Sequence, residues 1–108
     1  MKVEKIDHIA IVTKDVKATA SFYESLLGIK VGDIVEVPEQ DIKSVFVPIP
    51  GAGIEILQPI DPNGSIQKFI DKKGEGIHHY ALTVSNLEAA AKELTDNGIR
   101  LIQSSTNG

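Results

Sequence analysis

The feature that most constrains this chain is an internal repeat. Laid over itself with a shift of 71 residues, the separation of His8 and His79, IDHIAIVTKDVKATASFYESLLGIKV runs in step with IHHYALTVSNLEAAAKELTDNGIRLI. His8 falls on His79, Ala10 on Ala81, Asp15 on Asn86, Val16 on Leu87, Ala20 on Ala91 and Tyr23 on Leu94. One residue is then dropped, and Gly28 meets Gly98. Self-similarity of this kind outranks any single motif as a signal of architecture. The expected fold is α+β, with paired βαβββ modules in a single domain over 1–108. The first module spans about 1–60, a linker helix about 65–73, and a second module about 76–108, truncated at its C-terminal end.

Local chemistry agrees with the repeat. KIDHIAIVT, residues 5–13, is rich in β-branched residues and apolar on both faces, as in a strand covered on both sides. Asp15 and Asn86 stand where a helix N-cap is needed. Val16, Ala20, Tyr23 and Leu27 follow at helical spacing in the first copy, and Leu87, Ala90, Ala91 and Leu94 in the second. Gly28 and Gly98 stop these helices, because a left-handed residue is least costly as glycine. Strands are expected over 29–37, 42–49 and 53–57, separated by VPEQD and PIPGAG. QPIDPNGS is a polar connector, Ser65 is expected to cap a short helix in IQKFIDKK, and IRLIQ opens a further strand.

Composition excludes several classes of function. With no cysteine, the chain has no disulfide, no thiolate metal site and no cysteine nucleophile, which suits a reducing cytoplasm. The net charge of −4 is spread over interspersed acids and bases, so a nucleic-acid footprint is not expected. No apolar run reaches the roughly 18 residues of a membrane span. The start, MKVEKIDHIA, lacks the apolar stretch of a secretory signal.

The repeat gives the histidines a geometry. Equivalent strands of two modules related by a pseudo-two-fold axis can bring His8 and His79 face to face, and imidazole is the commonest metal ligand. Glu55 lies in GIEILQP among Ile54, Ile56 and Leu57, where a carboxylate is costly unless paired or bound to a metal. A lone strand histidine is ordinarily a packing residue; the matched pair with an in-strand glutamate makes a ligand set the competing reading. Symmetry calls for a partner of Glu55 near position 125, past Gly108. By alternation His78 faces away from His79, in a packing or supporting role. Asp71, Lys72, Lys73 and Glu75 are expected on an exposed loop face, and the GAG at 51–53 as a hairpin turn.

The run of KIDHIAI, FYESLLG, VPEQ, VFVPI, IEILQP, GEGIHH and NGIRLI resembles the vicinal oxygen chelate superfamily, whose paired βαβββ modules cup a divalent metal. PEQ, and GEGIHH after SIQKFIDKKG, resemble its methylmalonyl-CoA epimerase branch. The resemblance implies a divalent ion such as Co²⁺ or Zn²⁺ on His8, Glu55 and His79, with a fourth ligand, a glutamate, on a later strand. It implies a 1,1-proton transfer on an acyl-CoA through a metal-stabilised enediolate, in a cytoplasmic homodimer. Gln40 is implied as a substrate contact. Ser44 is likewise implied as a substrate contact, at a place where some epimerase members carry a glutamate proposed as an acid/base group. Two alternatives stand beside it: a glyoxalase-I-like lactoylglutathione lyase or isomerase, and a metal-free protein that binds small molecules in the same cavity.

Overall fold

The computed structural model describes residues 1–98. Five strands, β1 (Val3–Val12), β2 (Val35–Val37), β3 (Ile42–Val47), β4 (Gly53–Pro59) and β5 (Gly76–Val84), form one sheet in the order β2-β3-β4-β1-β5. Three helices accompany them: α1 (Val16–Leu27), α2 (Ser65–Lys73) and α3 (Leu87–Asp96). The chain divides into two units. Among the described residues, one holds Ile6–Ala81, and the other holds Met1–Lys5 with residues 82–98.

In the larger unit β1 runs parallel to β4, while β3 pairs antiparallel with β4 and with β2. β1 and β4 are joined through α1, β2 and β3, and α1 packs on one face of the sheet. There Val16 and Ala20 meet Val45, Val47 and Ile56, with Ile11, Ile54 and Tyr23 around them. On the other face α2 lays Ile70 against Ala10, Val12, Ile42 and Leu57. Central strands are thus covered on both sides, which is why β1 and β4 read as continuous apolar runs instead of alternating ones.

The helix ends follow their sequence signals. Asp15 accepts the amide of Ala18 at 3.0 Å, and Gly28 closes α1 in the left-handed region at φ 65°. The side-chain Oε1 of Gln58 also accepts from the Val16 amide at 2.8 Å, tying the start of α1 to β4. In the smaller unit Asn86 caps α3 by accepting from Ala89 at 2.9 Å, and Ser85 donates to the Lys2 carbonyl at 3.1 Å. No helix among the described residues is long and apolar enough to cross a membrane.

Three expectations are corrected. The strand expected over 29–37 shrinks to Val35–Val37, because the amide of Val31 is taken by Glu24 Oε2 at 2.9 Å, leaving Ile29 and Val31 to pack against the α1 face. Ser65 is the first residue of α2, and Gly64 occupies the cap with no side-chain bond. VPEQD is more than a simple turn, since Pro38–Gln40 forms a turn of 3-10 helix ended by Asp41 at φ 59°. The further strand expected in IRLIQ lies outside the described residues.

Glu75 lies in the exposed loop before β5, as expected, and makes tertiary contacts from there. It is exposed, yet its Oε2 accepts from the Lys14 amide at 2.7 Å and from the Thr13 hydroxyl at 3.0 Å, linking the loop before β5 to the end of β1. The Lys14 amide, then Thr13, hold its pKa below the ordinary glutamate value. A depressed folded-state pKa contributes stability above the unfolded-state value, and that contribution is lost as pH falls through the folded one. Glu75→Gln keeps an acceptor but loses the charge. It is expected to cost under about 1 kcal/mol near neutrality. In paired melts, its deficit against wild type should close as pH falls below about 4.

Candidate functional site

The site is built on the α2 face of the sheet by register. Pairing sets His8 beside Gly53 and Ala10 beside Glu55, and sets Phe46 beside Glu55 and Ser44 beside Leu57. His8, Glu55, Ser44 and Phe46 therefore rise from one face, with the buried Ala10 directly across from Glu55.

β5 lies next to β1, and the rings of His8 and His79 meet edge-to-face with centroids 5.8 Å apart. Two segments 71 residues apart in the sequence thus deliver one imidazole each to the same place. His79 as a whole residue is exposed, but its ring sits against His8 and His78 and loses part of its water shell. That burial pushes its pKa below the ordinary histidine value; His78 and His8 add to the effect, and the carboxylate of Glu55 opposes it. The neutral ring near pH 7 is the form that offers a lone pair to a cation.

Each of these imidazoles is held by the residue before it. Asp7 Oδ2 lies 2.8 Å from His8 Nδ1. His78 Nδ1 lies 2.8 Å from His79 Nδ1, and the His78 ring packs on Phe69 of α2 with centroids 4.6 Å apart. This corrects the orientation expected from alternation. β5 ends the strand order, so its side chains are not locked by a neighbouring strand on that side among the described residues. His78 swings to the aromatic surface of α2 while keeping the supporting role.

The donor set suits a borderline divalent cation: two imidazoles, one carboxylate and no thiolate. The histidines come together as a pair, and Glu55 stands near enough for its charge to act on His79. Among the described residues, no three His, Asp or Glu side chains already stand as a closed metal-holding group. Of the two substrate candidates, Ser44 is half-buried on the site face, whereas Gln40 is exposed on the 3-10 turn four residues earlier.

Two residues that sequence reasoning missed shape the floor of the site. A Cβ at Gly53, the register partner of His8, would overlap the Phe46 ring, so glycine lets that ring lie across β4 beside Glu55. The expected PIPGAG turn hides this, because the last glycine reads as part of the turn and is the first residue of β4. Gly53→Ala is expected to displace Phe46 and to destabilise by about 1–3 kcal/mol, measured by denaturant midpoint. An unchanged midpoint would show that the ring is free to leave.

The family model for the glyoxalase/bleomycin resistance protein/dioxygenase superfamily matches residues 7–108. Mouse mitochondrial methylmalonyl-CoA epimerase is 33% identical over 92% of this chain, and the chain spans only 56% of the length of that relative. The ethylmalonyl-CoA/methylmalonyl-CoA epimerase of Cereibacter sphaeroides is 32% identical over 93% of this chain and 75% of its own length. Streptomyces coelicolor methylmalonyl-CoA epimerase, solved with 2-nitronate-propionyl-CoA, superposes with a TM-score of 0.87 at 27% identity, over 98% of this chain and 78% of that one. The repeat, the order of strands and helices, and a match over nearly the whole sequence agree: the chain belongs to the glyoxalase/bleomycin resistance protein/dioxygenase superfamily.

Proposed function

We propose that the protein is a metal-dependent epimerase of methylmalonyl-CoA, working by 1,1-proton transfer at C2. The observation that carries this reading is the meeting of His8 and His79 from the two repeats on the face that holds Glu55. The printed names of its relatives give the substrate class. His8, Glu55 and His79 would hold the divalent ion, which supplies a Lewis acid for the oxygens on which charge develops as the C2 proton leaves.

The chain's own groups set up the rest. The depressed pKa keeps His79 neutral and available as a donor at physiological pH. Ser44, from the same face, presents a hydroxyl to the substrate, and Gln40 offers an amide from the 3-10 turn at its edge. The buried Leu57, packed with Ala10, Val12, Ile42 and Ile70, keeps water from beneath the site, which strengthens electrostatic contacts made there.

The test is a substrate comparison with the Co²⁺-loaded protein. Methylmalonyl-CoA supplied as a single C2 epimer should be converted to a mixture of both C2 epimers. The hemithioacetal of methylglyoxal and glutathione should remain unchanged. Turnover of the hemithioacetal alone would replace this reading with a lactoylglutathione lyase.

A further inference from the structure

His8 and His79 share more than a place in the repeat. Each has its Nδ1 engaged at 2.8 Å by the residue immediately before it, Asp7 in one case and His78 in the other. The shift of 71 that superposes His8 on His79 also superposes Asp7 on His78. The two contacts are therefore equivalent positions of the two modules filled by different chemistry.

An ionised carboxylate can only accept, so the Asp7 contact requires His8 Nδ1 to carry the proton. The lone pair of a neutral His8 ring is then on Nε2. Between His78 and His79 one Nδ1 donates and the other accepts. For His79 to present Nε2 as its lone-pair atom, its Nδ1 must be the donor and His78 the acceptor. The contact of His78 with Phe69 holds that acceptor in place from α2.

We infer that Asp7 and His78 are matched positioning residues, each fixing its neighbour as the Nδ1–H tautomer so that both Nε2 atoms face a common ligand point. The inference rests on the metal-site reading for the identity of that ligand, but the tautomers are a property of the metal-free protein. The module pair is thereby unequal: a charged acceptor orients His8, and a neutral one orients His79. Partners of this kind are worth about 10–100-fold in metal affinity.

Nitrogen-15 spectra of the two imidazoles in the metal-free protein test this directly at about pH 7.5, roughly one unit above the ordinary histidine pKa. His8 and His79 should both show protonated Nδ1 and unprotonated Nε2. Asp7→Ala should release His8 alone, and His78→Ala should release His79 alone. Asp7→Asn and His78→Asn, which keep an acceptor oxygen, should restore the tautomers even if the alanine variants fold poorly. Cobalt titration of the same proteins should then show a 10–100-fold loss for each alanine variant and a smaller loss for each asparagine variant. An Nε2–H tautomer at either histidine in wild type, or tautomers unmoved by the alanine variants, overturns the inference. Wild-type protein with the expected tautomers but no cobalt binding leaves the positioning roles standing and removes the metal reading instead.

Discussion

Replacing His79 with alanine is expected to weaken Co²⁺ binding by at least about 100-fold, or roughly 2.7 kcal/mol, since the proposed site would lose a direct ligand and not merely its support. Calorimetric titration of the wild type should give about one ion per chain, the count that a single site formed by His8, Glu55 and His79 implies. His79 is the sharper choice of the two histidines because its ring is exposed enough to remove without opening the core. Burial, then His78 and His8, already disfavour its charged form, so the alanine variant should not lose a salt bridge. Stability should therefore stay within about 0.5 kcal/mol of wild type while binding collapses. Retention of binding by this variant would remove His79 from the site and, with it, the meaning of the repeat.

The second large effect is structural. Ile56 is completely buried at the centre of β4, on the face against α1, among Val16, Ala20, Val45 and Val47. Ile56→Ala is expected to cost about 3–4 kcal/mol, since loss of buried methylene groups adds a cavity to the lost transfer energy. The thermal midpoint should fall by more than about 10 °C, and Ile56→Val should lose only about 1 kcal/mol. Because Ile56 points away from the site, cobalt affinity of the folded fraction should not change. Glu55, its neighbour, faces the opposite way. Truncating Glu55 to alanine should give the complementary pattern of weakened binding with little loss of stability. The alternation of one strand thus separates the two kinds of damage.

These opposed faces explain what could be read from the sequence and what could not. The repeat and the caps at Asp15 and Asn86 carry local signals that do not depend on tertiary context, and the helices start where those residues stand. The pairing of His8 with His79 followed from symmetry alone. The extent of β2 did not, because whether residues 29–34 join a strand is decided by Glu24, which reaches the Val31 amide from the far end of α1. Ser65 failed as a cap because the chain turns one residue earlier, at Gly64, where a Cβ would collide with the Asp41 carboxylate. A close approach of that kind has no sequence signature.

The same limit applies inside the site. Period-2 alternation placed His78 opposite His79, but alternation fixes the direction of Cβ and not the χ1 and χ2 rotations that aim the ring. With no strand outside β5 among the described residues, the Phe69 ring and the His79 nitrogen decide where the imidazole rests. Glu75 was unreadable for a related reason: both of its partners lie about 60 residues away, at Thr13 and Lys14.

The most direct test of the account is deuterium uptake at C2 of methylmalonyl-CoA in heavy water, followed by mass spectrometry with the protein loaded with Co²⁺ and again after chelation. Uptake accompanied by inversion in the loaded protein, lost on chelation and restored by added metal, is the predicted result. Exchange that continues at the same rate in the chelated protein would contradict it.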